Sequence, residues 1–259
     1  MDNKVDNKAI CLVCGHELPI GSVRCPNCRA VYPQNPQNYR DQFDRYEKHY
    51  NDRSRCIFYL RRGRIYETIV AKILHISKIK YKGAITFLDI GASVGMSIVL
   101  LEQYGKALGT ELDIPQLRRW HRFLDIESHM LYMPKTANVN DFYVELAKEL
   151  NGKIDVIFLI DTFRFIPLPT LIDIVSSFLK ENGAIVIKEA NPDNKKNLRK
   201  GNFILFSPDT MNYLAKRIGL NVNWYLVSSA IDNFAVRVPY NMLKMFRFRS
   251  YVAVLRKGE

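Results

Sequence analysis

Short apolar runs alternate with helical patterns over most of this chain. Five runs have the length and apolar content of buried strands: residues 84–90, 107–111, 129–133, 155–161 and 184–189. Apolar residues recur every three or four positions in the intervals between them, as they do in amphipathic helices. Strands that alternate with helices in this way form parallel sheets that are covered on both faces. The pattern therefore predicts an α/β fold.

Single residues mark where several of these elements begin and end. Gly105 should stop the helix that follows the first strand, and Gly183 should turn the chain into the fifth. Ser207 and Pro208 form the usual pair at a helix start, an N-cap followed by proline. Other helices are predicted at residues 115–124 and 169–179, and around Phe142, Leu146 and Leu150.

Two further strands are predicted near the end of the chain, at residues 222–228 and 251–256. The stretch between them, residues 230–248, is longer than a hairpin needs and carries basic residues among aromatic ones. Insertions of this kind usually help to define a substrate site.

The first strand ends in an acid, a glycine turn and a helix start. Asp89 precedes Gly91 and Gly95, and glycines at such a turn let the backbone come close to a ligand. The free amides of the new helix point at that ligand. The second strand ends in Glu111, about twenty residues after the turn, where an acid can bind a ribose diol. A nucleotide-type ligand is expected here.

Two classes of cofactor use this geometry, and Asp89 indicates which of them fits. A dinucleotide places its pyrophosphate on the glycine turn, and a carboxylate just before the first glycine would repel it. S-adenosylmethionine has no phosphate and carries a cationic sulfonium and an ammonium group, which Asp89 suits. The turn also lacks G-x-G-x-x-G and has Ser93 where a middle glycine often lies. The turn therefore favours S-adenosylmethionine.

The run Asp-Ile-Gly-Ala-Ser-Val-Gly at 89–95, followed by Gly-Thr-Glu-Leu at 109–112, resembles the class I S-adenosylmethionine-dependent methyltransferases. Residues 180–183 are similar to the turn that leads into the fifth strand in that family. The resemblance covers about residues 60–259. It implies a seven-stranded Rossmann-like sheet with helices on both faces. It also implies a set of cofactor contacts: Asp89, Gly91, Ala92, Ser93, Gly95, Glu111, Leu112, Asp161 and Thr162.

The resemblance leaves other contacts open. In related enzymes a polar residue after the third strand binds the adenine amino group, which would be Asn138 or Asp141 here. Alternatively, Asp141 only caps the following helix. Similar methyltransferases close the cofactor pocket with a helix before the first strand, so that Arg62 or Arg64 would meet the methionine carboxylate.

The chain departs from the family after the fourth strand. Many small-molecule methyltransferases have a histidine and a neighbouring acid there, where this chain has Phe165 and Arg164. The Asn-Pro-Pro-Tyr motif of enzymes that methylate base amines is also missing at this point. The catalytic residues therefore stay unknown. Four residues are expected near the acceptor, although each has an alternative structural role: Asp161, Arg164, Glu189 and Asn191.

Four of the five cysteines form two C-x-x-C pairs, Cys11 with Cys14 and Cys25 with Cys28. Paired thiolates at this spacing can hold a tetrahedral zinc ion, and four of them make a closed, structural site. His16 is expected to be a surface residue. Cys56 is expected to be a structural thiol.

A length of 259 residues suits one large domain with a small appendage. Two prolines between residues 31 and 38 mark a boundary, which gives a zinc ribbon at 1–36 and a methyltransferase domain at 37–259. Within that domain, residues 37–82 would form a helical cover. No apolar run could span a bilayer and the polar first residues are no signal peptide, so a cytoplasmic enzyme is expected.

The formal net charge of +12 points to anionic partners. We expect a small, anionic metabolite as methyl acceptor, with RNA as the alternative. A third possibility is an inactive protein of this fold that binds nucleic acid. Basic stretches at 53–64, 195–200 and 237–249 are predicted to meet at the sheet edge that carries Asp89 and Asp161.

Overall fold

A computed structural model gives the chain a two-stranded sheet near its start and a large sheet with helices on both faces. The structure describes residues 8–11, 13–19, 23–32, 44, 47–51, 56–57, 60, 63–74, 84–162, 170–193, 205–228, 234–246, 248 and 250–257. None of the helices within these ranges is long and apolar enough to cross a membrane.

The elements are numbered in chain order. The strands are β1 (Lys8–Ile10), β2 (Glu17–Pro19), β3 (Ile85–Ile90), β4 (Gly105–Leu112), β5 (Met130–Met133), β6 (Ile154–Ile160), β7 (Leu179–Ala190), β8 (Asn221–Ser228), β9 (Phe234–Arg237) and β10 (Ser250–Arg256). The helices are α1 (Arg64–Thr68), α2 (Met96–Leu101), α3 (Pro115–Phe123), α4 (Val139–Leu150), α5 (Thr170–Ser177), α6 (Pro208–Arg217) and α7 (Tyr240–Phe246). A π-helical turn, Ile69–Leu74, continues α1.

The large sheet has the strand order β5-β4-β3-β6-β7-β10-β8-β9. Strands β3 to β7 are parallel, and β10 runs antiparallel between β7 and β8. The predicted α/β fold is confirmed, but the prediction of seven strands is wrong, because β9 adds an eighth. That strand comes from the insertion before β10 and is only four residues long, which is too short for its pattern to stand out in the sequence.

One strand begins earlier than predicted, and one predicted cap is wrong. β7 already begins at Leu179, but its pairing with β6 steps from Leu179 opposite Ile154 to Ala184 opposite Val156, so Gly183 lies in the irregular stretch just before the regular strand. The cap of α4 is Asn138, whose Oδ1 accepts the Asn140 N–H at 2.9 Å, so Asp141 only lies in the first turn. The predicted cap of α6 is confirmed: Ser207 Oγ accepts the Thr210 N–H at 3.2 Å.

The cysteine-bearing segment packs on the large sheet's α5–α6 side. Val31 and Leu205 exchange two backbone hydrogen bonds of 2.9 and 2.8 Å. The Arg24 guanidinium donates to Asp193 at 2.6 Å, just beyond the end of β7, and Arg217 of α6 donates to the Val13 carbonyl at 3.0 Å. The buried apolar side chains on both sides of this contact belong to one cluster: Val13, Leu18, Ala30, Phe206, Met211 and Leu214. The predicted boundary at residue 36 lies outside the described residues.

Candidate functional site

The turn between β3 and α2, residues 91–95, is here named the cofactor turn. Gly91, Ser93 and Gly95 have positive φ angles of 79°, 55° and 85°. A Cβ added at Gly91 would lie 2.5 Å from the Thr162 side chain, so the turn packs directly on the residue after β6. Ala92 is buried within it. The two glycines thus occupy positions where the backbone needs them.

Asp89 lies fully buried beneath the cofactor turn. Its Oδ1 accepts the Tyr66 hydroxyl at 3.1 Å and its Oδ2 accepts the Ser97 hydroxyl at 2.5 Å. Burial raises the pKa of Asp89 to about 7, although these two hydrogen bonds oppose the shift. Tyr66 comes from α1 and Ser97 from α2, and the sequence pattern identified neither. The carboxyl group therefore joins both helices to the end of β3.

Glu111 lies against the same turn from β4. Its Oε2 accepts the Ser93 N–H and its Oε1 accepts the Leu112 N–H, both at 2.7 Å. Burial raises the pKa of Glu111 to about 7. A carboxylate has about four lone-pair sites, so two amide bonds leave room for further donors such as a ribose diol.

His121 supports the turn from α3 and was not identified from the sequence. Its ring is fully buried, with Nε2 2.8 Å from the Ser93 carbonyl oxygen and Nδ1 2.8 Å from the Tyr132 hydroxyl. A carbonyl only accepts, so Nε2 carries the proton and Tyr132 donates to Nδ1. Burial lowers the pKa of His121, which keeps the imidazole neutral.

The described residues between Asp44 and Leu74, here named the cover segment, lie across this edge of the sheet. The Tyr50 hydroxyl donates to Ser93 Oγ at 2.8 Å. The Lys135 ammonium, just after β5, pairs with Asp44 at 2.8 Å and with Glu47 at 3.6 Å. Contacts from this one segment therefore reach from the end of β5, over the cofactor turn, to Asp89 of β3.

Asp161 and Thr162 follow β6 at the same edge. Asp161 has a positive φ of 57°, and its Oδ2 lies 2.7 Å from the Lys188 ammonium of β7. The side chains of this ion pair are 12% and 14% exposed. The edge thus brings together three predicted acids, Asp89, Glu111 and Asp161, around one turn.

Comparisons with known proteins identify the fold. No family model matches the sequence, and no curated protein matches it significantly. A chain of the complex between the Haloferax volcanii Trm112 methyltransferase activator and a methyltransferase is 13% identical, with a TM-score of 0.52 over 86% of this chain and 98% of that chain. A methyltransferase from Aquifex aeolicus is 12% identical, with a TM-score of 0.50 over 85% and 98%. The fold is that of the S-adenosylmethionine-dependent methyltransferases.

Within this methyltransferase fold, the other predicted site residues either are buried at the end of β7 or lie outside the described residues. Glu189 and Asn191 are fully buried at the end of β7 and just beyond it. Asn191 Oδ1 accepts the Asp193 N–H at 3.1 Å, which is a structural contact. Two predicted residues, Arg62 and Arg164, lie outside the described residues, as does the side chain of Arg64.

The predicted meeting of three basic stretches stays a prediction, because two of them, 53–64 and 195–200, have no described basic side chain. Only the third stretch, 237–249, can be placed. Arg237 lies on β9, five strand positions from β3, or about 24 Å at the usual strand spacing, and donates to Asn223. Lys244 of α7 pairs with Asp209 of α6 at 3.4 Å. Residues 195–200 lie outside the described residues.

The four cysteines predicted as metal ligands come together on the methyltransferase fold's α6 side. The Sγ atoms of Cys11, Cys14, Cys25 and Cys28 all lie within 4.8 Å of one another, an arrangement that could hold a metal ion. Burial raises the pKa of Cys25, so this thiol ionises less readily unless a cation lies beside it. His16 is exposed, and Cys56 is buried with its Sγ 3.4 Å from the Tyr50 carbonyl, as expected of a structural thiol.

The buried Asp89 carboxyl predicts a pH dependence of stability. Its folded pKa of about 7 lies above the unfolded value of 3.8, so the folded state binds the extra proton between these values. The resulting stability is complete below about pH 4 and is lost as the pH rises through about 7, by at most about 4 kcal/mol. We expect Asp89→Asn to flatten this fall when urea unfolding is measured from pH 4 to 8.

Asp113→Asn is the matched control. Its hydrogen bonds to Arg118 lower the pKa of Asp113, so its contribution has the opposite sign and is lost as the pH falls. If Asp89→Asn and the wild type show parallel pH profiles, Asp89 does not hold a proton in the folded protein.

Proposed function

We propose that the protein is an S-adenosylmethionine-dependent methyltransferase that acts on a small, anionic metabolite. The main support for this cofactor is the pair of carboxyl groups around the cofactor turn. Asp89 is buried beneath the turn, and Glu111 accepts the Ser93 N–H. Above about pH 7, where both carboxyl groups are ionised, they would repel a phosphate-bearing dinucleotide, whereas a cationic ligand with a ribose diol suits both acids.

The cofactor would supply an electrophilic methyl group on a sulfonium. The chain's own residues would hold it: Glu111 through the ribose hydroxyls, Asp89 through its charge, and the turn through backbone contacts at Gly91, Ala92, Ser93 and Gly95. Leu112 would border the ribose and adenine, and Asp161 with Thr162 the methionine end. Aligning two reactants in this way is the main work that methyl transfer asks of a protein.

The cover segment supports a small acceptor over RNA. Its described residues lie at the same edge as the cofactor turn, where Asp44 pairs with Lys135 and Tyr66 donates to Asp89. A covered edge suits an enclosed substrate better than a long polymer. The net charge of +12 favours an anionic one, and it also keeps RNA as the second candidate.

We also propose that the cysteine cluster binds one structural zinc ion. Four sulfur donors within 4.8 Å of one another suit zinc, and such a closed site holds a fold together. Residues 1–36 would then form a ribbon and residues 37–259 the methyltransferase domain. A thiolate metal site also supports a cytoplasmic location, where thiols stay reduced. Metal analysis of the purified protein should find about one zinc per chain.

The activity can be tested with S-adenosylmethionine that carries an isotopic label in its methyl group. The protein is incubated separately with a small-molecule cell extract and with total RNA. We expect label in small molecules and none in RNA, and we expect Glu111→Gln to abolish transfer. Label in RNA alone would overturn the proposed acceptor class. No transfer to either pool, from protein shown to be folded and metal-loaded, would count against the enzyme.

A further inference from the structure

Ser93 has an unusual set of partners for a residue of a glycine turn. Its N–H donates to Glu111 of β4 at 2.7 Å, and its carbonyl lies 2.8 Å from His121 Nε2 of α3. Its hydroxyl oxygen accepts from Tyr50 of the cover segment at 2.8 Å. Three separate elements therefore hold the three polar groups of one residue.

We propose that Ser93 couples binding at the cofactor turn to the position of the cover segment through its hydrogen bond with Tyr50. The proposal rests on the proposed function, because it assumes that an S-adenosyl ligand occupies the turn. It makes Ser93 and Tyr50 positioning residues that control how fast the ligand leaves.

A serine at this position strains the backbone, and the hydrogen bond from Tyr50 offsets that strain. Ser93 adopts a left-handed φ of 55°, where a side chain strains the backbone and glycine does not. What serine adds over glycine is the Oγ atom that Tyr50 reaches. Tyr50 itself is only 5% exposed and packs in a small apolar cluster with Val94 of the cofactor turn and Leu117 of α3. The contact is therefore sheltered from water, where a hydrogen bond is worth more.

Glu111 provides the link to the ligand. Its carboxyl group already accepts the Ser93 amide, and a ribose diol would bind the same group. Hydroxyl donors favour the ionised form, and an ionised carboxylate holds the Ser93 N–H more strongly. A bound ligand would thus fix the orientation of Ser93 and, through it, the hydroxyl oxygen that Tyr50 contacts. The hydrogen bond from His121 to the Ser93 carbonyl is expected to stay the same with and without ligand, because burial lowers the pKa of His121 and keeps its ring neutral.

The test uses Ser93→Ala, Tyr50→Phe and the double variant, with Tyr104→Phe as the matched control. Tyr104 is 41% exposed and lies at the opposite edge, beside the start of β4. The probe is S-adenosylhomocysteine, and its dissociation rate is measured by stopped flow. We expect each single variant to release it about two- to tenfold faster, as the loss of one hydrogen bond implies, and the double variant to be no faster than either. Tyr104→Phe should match the wild type.

A second readout follows the cover segment directly. S-adenosylhomocysteine should slow amide hydrogen exchange at residues 47–51 in the wild type and much less in either variant. Ser93→Gly separates the proposal from a purely structural role: removing the strained φ should keep or raise the unfolding temperature, while release still becomes faster. Wild-type release rates in the single variants, or additive effects in the double variant, would overturn the coupling.

Failure of the proposed function looks different. If the wild type does not bind S-adenosylhomocysteine at all, the assigned ligand is wrong. The ligand-free proteins still test the contact, because exchange at residues 47–51 should be faster in Ser93→Ala and Tyr50→Phe than in Tyr104→Phe. Equal exchange in all three would overturn it.

Discussion

Removal of the metal, or replacement of Cys25 by serine, is expected to destabilise the large α/β unit together with the cysteine-bearing segment. Val13 and Leu18 are buried in the same apolar cluster as Phe206 and Met211 of the large unit. Burial of a valine and a leucine alone contributes about 3–6 kcal/mol. If the segment unfolds without its ion, this contribution is lost, and the unfolding temperature should fall by about 10 °C.

The effect should be visible at particular residues. Val31 pairs with Leu205 just before α6, and Arg24 pairs with Asp193 just after β7, so both ends of the connection between β7 and α6 are tied to this segment. We expect amide exchange in α6 and at Leu205 to speed up after chelation, while exchange in β3 and β4 stays slow. Cys56→Ser is the matched control, because Cys56 is also buried but lies outside the cluster.

A different result would separate the two units. If chelation speeds exchange only in residues 8–32 and leaves the unfolding temperature unchanged, the segment folds independently and the shared apolar cluster contributes little. That is the behaviour of the independent zinc ribbon that the cysteine spacing alone suggests.

The second large effect concerns Glu111. We expect Glu111→Gln to weaken S-adenosylhomocysteine binding at least about 50-fold, because charge-assisted hydrogen bonds each contribute about 1.5–3 kcal/mol. A glutamine also presents an NH2 group where the carboxylate now accepts the Ser93 or the Leu112 amide, so the turn itself would be disturbed. The measurement is isothermal titration calorimetry at pH 8, where the carboxyl group is ionised.

Glu102→Gln is the matched control for this substitution. Glu102 follows α2 at the opposite edge of the sheet and pairs with His129, so its loss should leave binding unchanged. Wild-type affinity in Glu111→Gln would show that the ligand does not bind at the end of β4.

The parts of the fold that follow from local pattern could be read from the sequence. β6 is buried along its whole length, and its largely apolar run already predicts a buried strand. Ser207 before Pro208 was sufficient to place the start of α6. β9 was missed because four residues at a sheet edge carry too little periodicity. Asn138 and Asp141 are both good capping residues, and the choice between them depends on where the backbone enters α4.

In the candidate site, too, the sequence predicts some residues and not others. Asp89, Glu111 and the two turn glycines lie at element ends that the strand and helix patterns mark. Their partners do not: Tyr66 and Ser97 reach Asp89 from two helices, and His121 reaches Ser93 across 28 positions of the chain. Contacts of this kind depend on how the elements pack, which periodicity does not encode. In the sequence, Ser93 only departs from the glycine that often lies at this position. Its hydrogen bonds to Tyr50, Glu111 and His121 are visible only in the structure.

The central claim, that the cofactor turn holds an S-adenosyl ligand, is most directly tested by calorimetric titration of the folded, metal-loaded wild type. We predict that S-adenosylhomocysteine binds with one site per chain and a dissociation constant in the micromolar range. A nicotinamide dinucleotide should give no heat of binding under the same conditions. Binding of the dinucleotide without binding of S-adenosylhomocysteine would contradict the account.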